Sequence, residues 1–197
     1  MKSSDLFSAV AAVISAIALI SSVRSCQVSE NALQMTRLEY QGSRSLIIHG
    51  EVQKDNASIK LTPQDQTFLL QQVHFRFPSI LGGAKRPIIA PDFVLYLPTE
   101  IAQLKEEISK RFPQKKDVVT VGLEARIPFL IETFATVKGN NIKDRSIYTL
   151  NFQFSIPPVP ETEPDIKLLG ISFSSRLTPE QDSEKVLESV WELASKG

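Results

Sequence analysis

The chain has 197 residues, with 22 Lys plus Arg and 22 Asp plus Glu, so its formal charge is zero and no global field draws in nucleic acid or an acidic polymer. Its single cysteine, Cys26, excludes an intrachain disulfide and a cysteine-based zinc site. Beyond an apolar N-terminal segment and its flank, about 150 residues remain, enough for one domain with its own core.

Leu6 to Val23 is a run without a charge, bounded by Lys2 and Asp5 on one side and Arg24 on the other. As a helix it spans about 27 Å, close to the hydrocarbon thickness of a bilayer. This predicts a single-pass transmembrane anchor within residues 1–25, crossing lipid with residues 6–23. Its length, and a charge at Arg24 where a peptidase would need an extended small-residue approach, argue against removal as a secretory signal. The alternative is a periplasmic lipoprotein acylated at Cys26. The sequence "VRSC" departs from a lipobox at Arg24, which favours a free interfacial thiol. Ser8, Ala12 and Ala16 recur at four-residue spacing, so a second copy of the span could approach closely and form a homodimer. Lys2 before the span and Arg24 and Arg37 after it nearly balance, leaving open which side of the cell membrane the globular part occupies.

Residues 26–42 read as a juxtamembrane helix, with Ser29 as N-cap, Ala32, Leu33, Met35 and Leu38 apolar, and Gly42 as the stop. A span followed by Ala32, Leu33, Thr36, Arg37 and Glu39 in this order resembles uncharacterised bacterial single-pass proteins. The resemblance is confined to the N-terminal segment and implies a membrane location with no activity attached.

Residues 43–197 read as a β-rich globular domain. "SLIIHGEVQ", "SIKL", "TFLLQQVHFRF" and "DFVLYL" are short runs rich in β-branched or aromatic residues with Pro, Gly or Asp nearby. "PTEIAQLKEEISKRF" interrupts them as one inserted helix, with Thr99 as N-cap, Glu100 in the first turn, Ile101, Leu104, Ile108 and Phe112 on one face, and Lys110 and Arg111 at the end. "DVVTVGLEA" and "FLIETFATV" follow as strands. "KGNNIKDR" then supplies a hairpin turn into "IYTLNFQFSI", where Tyr148, Leu150, Phe152, Phe154 and Ile156 alternate with mostly polar neighbours. "PPVPETEPD" is an exposed connection, and "DIKLLGISFSS" is the last strand. About eight strands without parallel alternation predict a mainly β, antiparallel sandwich-like domain. A C-terminal helix over 178–196 completes it, with Thr178 as cap, Pro179 at the first position, Gln181 closing a capping box, and Leu187, Val190, Trp191 and Ala194 as its apolar stripe. Docking on its own domain is favoured over a partner groove anchored by Trp191.

No elbow, zincin, phosphate-loop or dinucleotide signature is present, and His49 and His74 stand alone in strands without metal-ligand spacing. No catalytic, cofactor-binding or metal residue is therefore assigned. An anchored hydrolase would have to assemble loop carboxylates such as Asp92, Glu132 and Asp165. Lys110, Arg111, Lys115 and Lys116 in "KRFPQKK", and Lys85 and Arg86 in "LGGAKRP", are the basic patches that could meet an anionic lipid or partner. Without interleaved exposed aromatics they do not suit nucleic acid. Asn56-Ala57-Ser58 matches a glycan acceptor triplet. The expected function is a membrane-tethered, non-enzymatic binding or assembly module in which loops or a sheet edge recognise another protein.

Overall fold

A computed structural model of the chain describes residues 22, 24–36, 46–114, 118–159 and 162–195, the side chain of Leu123 excepted. The chain divides into two units, residues 1–41 and 42–197. In the first, residues 24–36 form a helix, α1, that leaves Cys26 exposed. Ser29 lies inside α1 and does not cap it, and the Thr36 hydroxyl donates back to the Ala32 carbonyl at 2.9 Å. The predicted span, the Gly42 stop and most of the residues that carry the resemblance fall outside the described residues. Among the described residues no helix is long and apolar enough to cross a membrane.

The second unit is mainly antiparallel β with a few helices. Its order is β1 (Ile48–Val52), β2 (Ser58–Pro63), β3 (Phe68–Arg76), a 3-10 turn (Ser79–Leu81), β4 (Arg86–Ile88), β5 (Val94–Tyr96), α2 (Pro98–Arg111), β6 (Thr120–Val137), β7 (Asn140–Ile156), β8 (Asp165–Arg176) and α3 (Ser183–Ser195). One sheet runs β1-β2-β5 and the other β4-β3-β6-β7-β8.

The alternation in β7 sets the main core. Tyr148, Leu150, Phe152, Phe154 and Ile156 are buried on one face, and they join Phe77, Phe129, Ile131, Ile59 and Leu95 in a cluster drawn from both sheets. Each such side chain removed from water stabilises by roughly 1.5–3 kcal/mol. Gly50 lets the sheets converge, because a Cβ there would meet Ile171 Cγ1 at 2.6 Å and Ile59 Cγ2 at 2.8 Å. Ile147 points the other way, into a small second cluster with Leu130, Leu177 and Leu187 beneath α3.

The hairpin is longer and tighter than its sequence suggested. "DVVTVGLEA" and "FLIETFATV" belong to one strand, β6, running through Pro128. Proline is tolerated there because β3 stops pairing at Leu130, so no neighbour on that side needs its N–H. The turn is Lys138-Gly139 alone, both at positive φ (49° and 79°), while Asn140 to Arg145 continue the ladder as β7. β4, three residues around Pro87, is a strand that sequence reading missed.

Both helix starts also differ. Leu97 is the N-cap of α2, with Pro98 at its first position, so Thr99 does not cap. α3 begins at Ser183 and not at 178, because Asp182 Oδ1 accepts the Glu184 and Lys185 N–H groups at 3.1 and 3.3 Å. Gln181 still returns to the Thr178 N–H at 2.7 Å, in a turn that precedes the helix. The stripe of α3 buries Leu187 and half-buries Val186, Val190 and Trp191, leaving Ala194 exposed. α3 thus docks on its own domain, as expected.

Candidate functional site

The irregular segment between β3 and α2 holds the two clefts among the described residues that best suit a ligand, and Arg86 lines both. β4 brings Arg86 over the ring of Phe75, with the guanidinium carbon 4.7 Å from the centroid, and Arg86 pairs with the carboxylate of Glu100 in the first turn of α2. Glu100 was expected to be an exposed partner of the helix dipole; it is 1% exposed, buried against the arginine. Lys85 pairs with Glu132 on β6.

The first cleft, about 270 Å³, is lined by Phe75, Arg86, Pro87, Ile89, Asp92 and Tyr96, among others. It lies where the terminal strand of one sheet, β4, passes into the terminal strand of the other, β5. Among the described residues neither strand has a second strand beside it. The bonds from the Leu61 N–H to the Phe93 carbonyl and from the Leu97 N–H to the Ala57 carbonyl, with Leu95 opposite Ile59, fix which groups of β5 face β2. By alternation, the N–H and C=O groups of Val94 and Tyr96 face the open edge. Ile89 (80% exposed) and Tyr96 (64%) stand beside that edge. The edge of β4 is blunted, since Pro87 has no N–H to offer. The second cleft, about 160 Å³, lies along the first turn of α2 between Thr99, Glu100, Gln103, Phe77, Leu81 and Gly82.

The residues singled out from sequence are not gathered at one place. Lys110 is exposed and held by Glu106 at 2.8 Å and Glu107 at 2.9 Å, which raise its pKa above the usual lysine range and leave little free positive charge. Arg111 donates to the Ser195 carbonyl at 3.3 Å. Lys115 and Lys116 lie outside the described residues. Trp191 packs against the main core instead of standing free as a partner anchor. Asp92 lines the first cleft, and Glu132 is paired by Lys85. Glu132 and Asp165 face Arg145 and Ser155, ten positions apart on β7, hence about 33 Å apart along the strand. These carboxylates share no cleft. His49 is exposed on β1; His74 is half-buried opposite Glu132 with Nδ1 unpartnered. Among the described residues no three metal-ligating side chains converge.

A separate buried polar group fastens the entry of the chain into the domain. Arg176 donates to Asp144 at 2.5 Å and to the Leu46 carbonyl at 2.5 Å, Ser146 donates to Asp144 at 2.7 Å, and the Tyr148 hydroxyl accepts the Ile48 N–H at 2.8 Å. Burial raises the Asp144 carboxyl above its ordinary value and pushes the Tyr148 phenol up to about 12. With no cleft reaching these groups, their role is structural.

Sequence reading named Arg86 and Asp92 but missed Glu100, Gln103, Val94 and Tyr96 as site residues. The available signal was "RPIIAPDFVLY", a proline-broken apolar run too short to be two ordinary strands. Comparison of the chain with protein-family models, curated proteins and solved structures returns no match.

Proposed function

We propose that this chain is a membrane-tethered, non-enzymatic protein-recognition module. In this reading residues 6–23 anchor it in the cell membrane, and a sandwich-like β body takes an extended segment of a partner protein along the outer edge of β5. The observation that supports it is the open edge itself, with the outward-facing N–H and C=O groups of Val94 and Tyr96 beside an apolar cleft that exposes Ile89 and Tyr96. Strand addition to such an edge supplies main-chain hydrogen bonds, and side-chain pockets supply selectivity. Four bonds at a net 0.5–1.5 kcal/mol each give roughly 2–6 kcal/mol, so useful affinity also requires apolar contacts in the cleft. Arg86, stacked and ion-paired, orients that wall.

The test places a photo-crosslinking residue at position 96 or, as a remote control, at Lys143 on β7, in the full chain in intact membranes. A discrete protein adduct from position 96 and none from position 143 is expected. The purified partner should then slow exchange of the Val94 and Tyr96 amides. Equal adducts from both positions, or exchange unchanged by the partner, would overturn the reading.

A further inference from the structure

Two buried oxygens line the second cleft without a hydrogen-bond donor. Glu100 Oε2 has no partner although the residue is 1% exposed, and Gln103 Oε1, one helical turn further along α2, has none either. Both residues line the same cleft of about 160 Å³. A buried acceptor left unsatisfied costs about 1–3 kcal/mol, more if charged, so this arrangement awaits a donor. The wall opposite Gln103 is kept open by Gly82, where a Cβ would stand 3.9 Å from Gln103 Nε2 and 4.0 Å from Oε1. Phe77 and Leu81 supply the apolar floor.

The charges around the cleft select among donors. Arg86 and Glu100 cancel, and the start of α2 contributes about half a positive charge. That helix has no side-chain cap, so its first N–H groups are unclaimed by one. A bare cation would satisfy the two acceptors but add uncompensated charge. A bare anion would suit Arg86 and the helix start but face Glu100 Oε2 and Gln103 Oε1. A molecule with both groups close together satisfies every requirement. We infer that this cleft binds a small zwitterion, its primary ammonium donating to Glu100 Oε2 and Gln103 Oε1 and its anionic group facing Arg86 and the first turn of α2. With roughly 30 Å³ per water, the cleft has room for about five waters, the size of a free amino acid or an aminoethyl phosphate and too small for a nucleotide. A quaternary ammonium, lacking N–H, does not fit this chemistry. The inference is independent of the strand-edge reading.

The test follows the Gly82 amide and the Gln103 side-chain amide by NMR in the full chain in detergent micelles, during titration with glycine, phosphoethanolamine, ethylammonium and acetate. Saturable shifts with glycine or phosphoethanolamine are expected, with ethylammonium and acetate at least tenfold weaker. Tighter binding of glycine identifies a free amino acid as the natural class, and tighter binding of phosphoethanolamine identifies a lipid headgroup. Gln103→Met, which keeps the length and removes the acceptor, should weaken binding at least tenfold, read at Gly82; Glu100→Gln should do the same. Should Glu100→Gln fail to fold, Gln103→Met decides alone, because Gln103 is only half-buried. No saturable shift with either zwitterion, an equal response to ethylammonium or acetate, or undiminished binding by Gln103→Met would each overturn the assignment.

Discussion

Asn56 joins the two sheets through its side chain alone, and replacing it exposes the reasoning to a quantitative check. It sits in the β1–β2 turn at φ 50°. Its Nδ2 donates to the Ile166 carbonyl at 2.8 Å, and its Oδ1 accepts the Leu168 N–H at 2.9 Å. The carboxamide therefore takes the place of a strand residue on the outer edge of β8. Two such bonds contribute about 1–3 kcal/mol net, and a left-handed backbone costs most residues other than Gly and Asn a further 1–2 kcal/mol or so. Asn56→Ala should lose roughly 2–4 kcal/mol and Asn56→Gly, which keeps the backbone at no steric cost, roughly 1–3. Urea unfolding of the full chain should rank Asn above Gly above Ala, and in both variants the Leu168 amide should exchange faster. An Ala variant within about 0.5 kcal/mol of the parent, or a Gly variant no better than Ala, would refute the claim that this amide bridges the sheets. The same geometry commits the nitrogen that a glycan would need.

Tyr148 titrates near 10 in the unfolded chain and about 12 in the fold, so the fold keeps its full advantage below pH 10 and loses it as pH rises toward 12. Melting of the parent should therefore fall more steeply than that of Tyr148→Phe through this window, and parallel profiles would contradict the burial of the phenol. Lys138→Asn creates the Asn-Gly pair that the positive φ angles of the β6–β7 turn favour, and should raise stability by about 0.5–1 kcal/mol in urea unfolding. Leu187→Ala should cost roughly 2–5 kcal/mol by opening a cavity under α3, and the Trp191 emission should shift to the red as the helix loosens.

Those elements that depend on periodicity were legible. The β7 face from Tyr148 to Ile156, the buried Leu104 and Ile108 of α2, and Leu187 of α3 all follow from spacing, because burial of one face is what generates the pattern. The turn after Val137 was misplaced because Asn140 and Asn141 carry loop propensity, yet once Lys138-Gly139 closes the hairpin they fall in register opposite Val137 and Thr136. The clefts were not legible. Glu100 looks like a solvent-facing first-turn acid, and only the passage of β4 across the ring of Phe75 brings Arg86 to it and makes its burial tolerable. Which strands end a sheet is likewise a property of pairing between distant segments, so the open edge of β5 leaves no trace in "VLY".

The account rests on a β body held at lipid by the first residues of the chain, and alkaline carbonate washing of membranes tests this most directly. The full chain should stay with the membrane pellet, while a chain lacking residues 1–23 should leave with the wash. Release of the full chain, or equal retention of both, would contradict the tether.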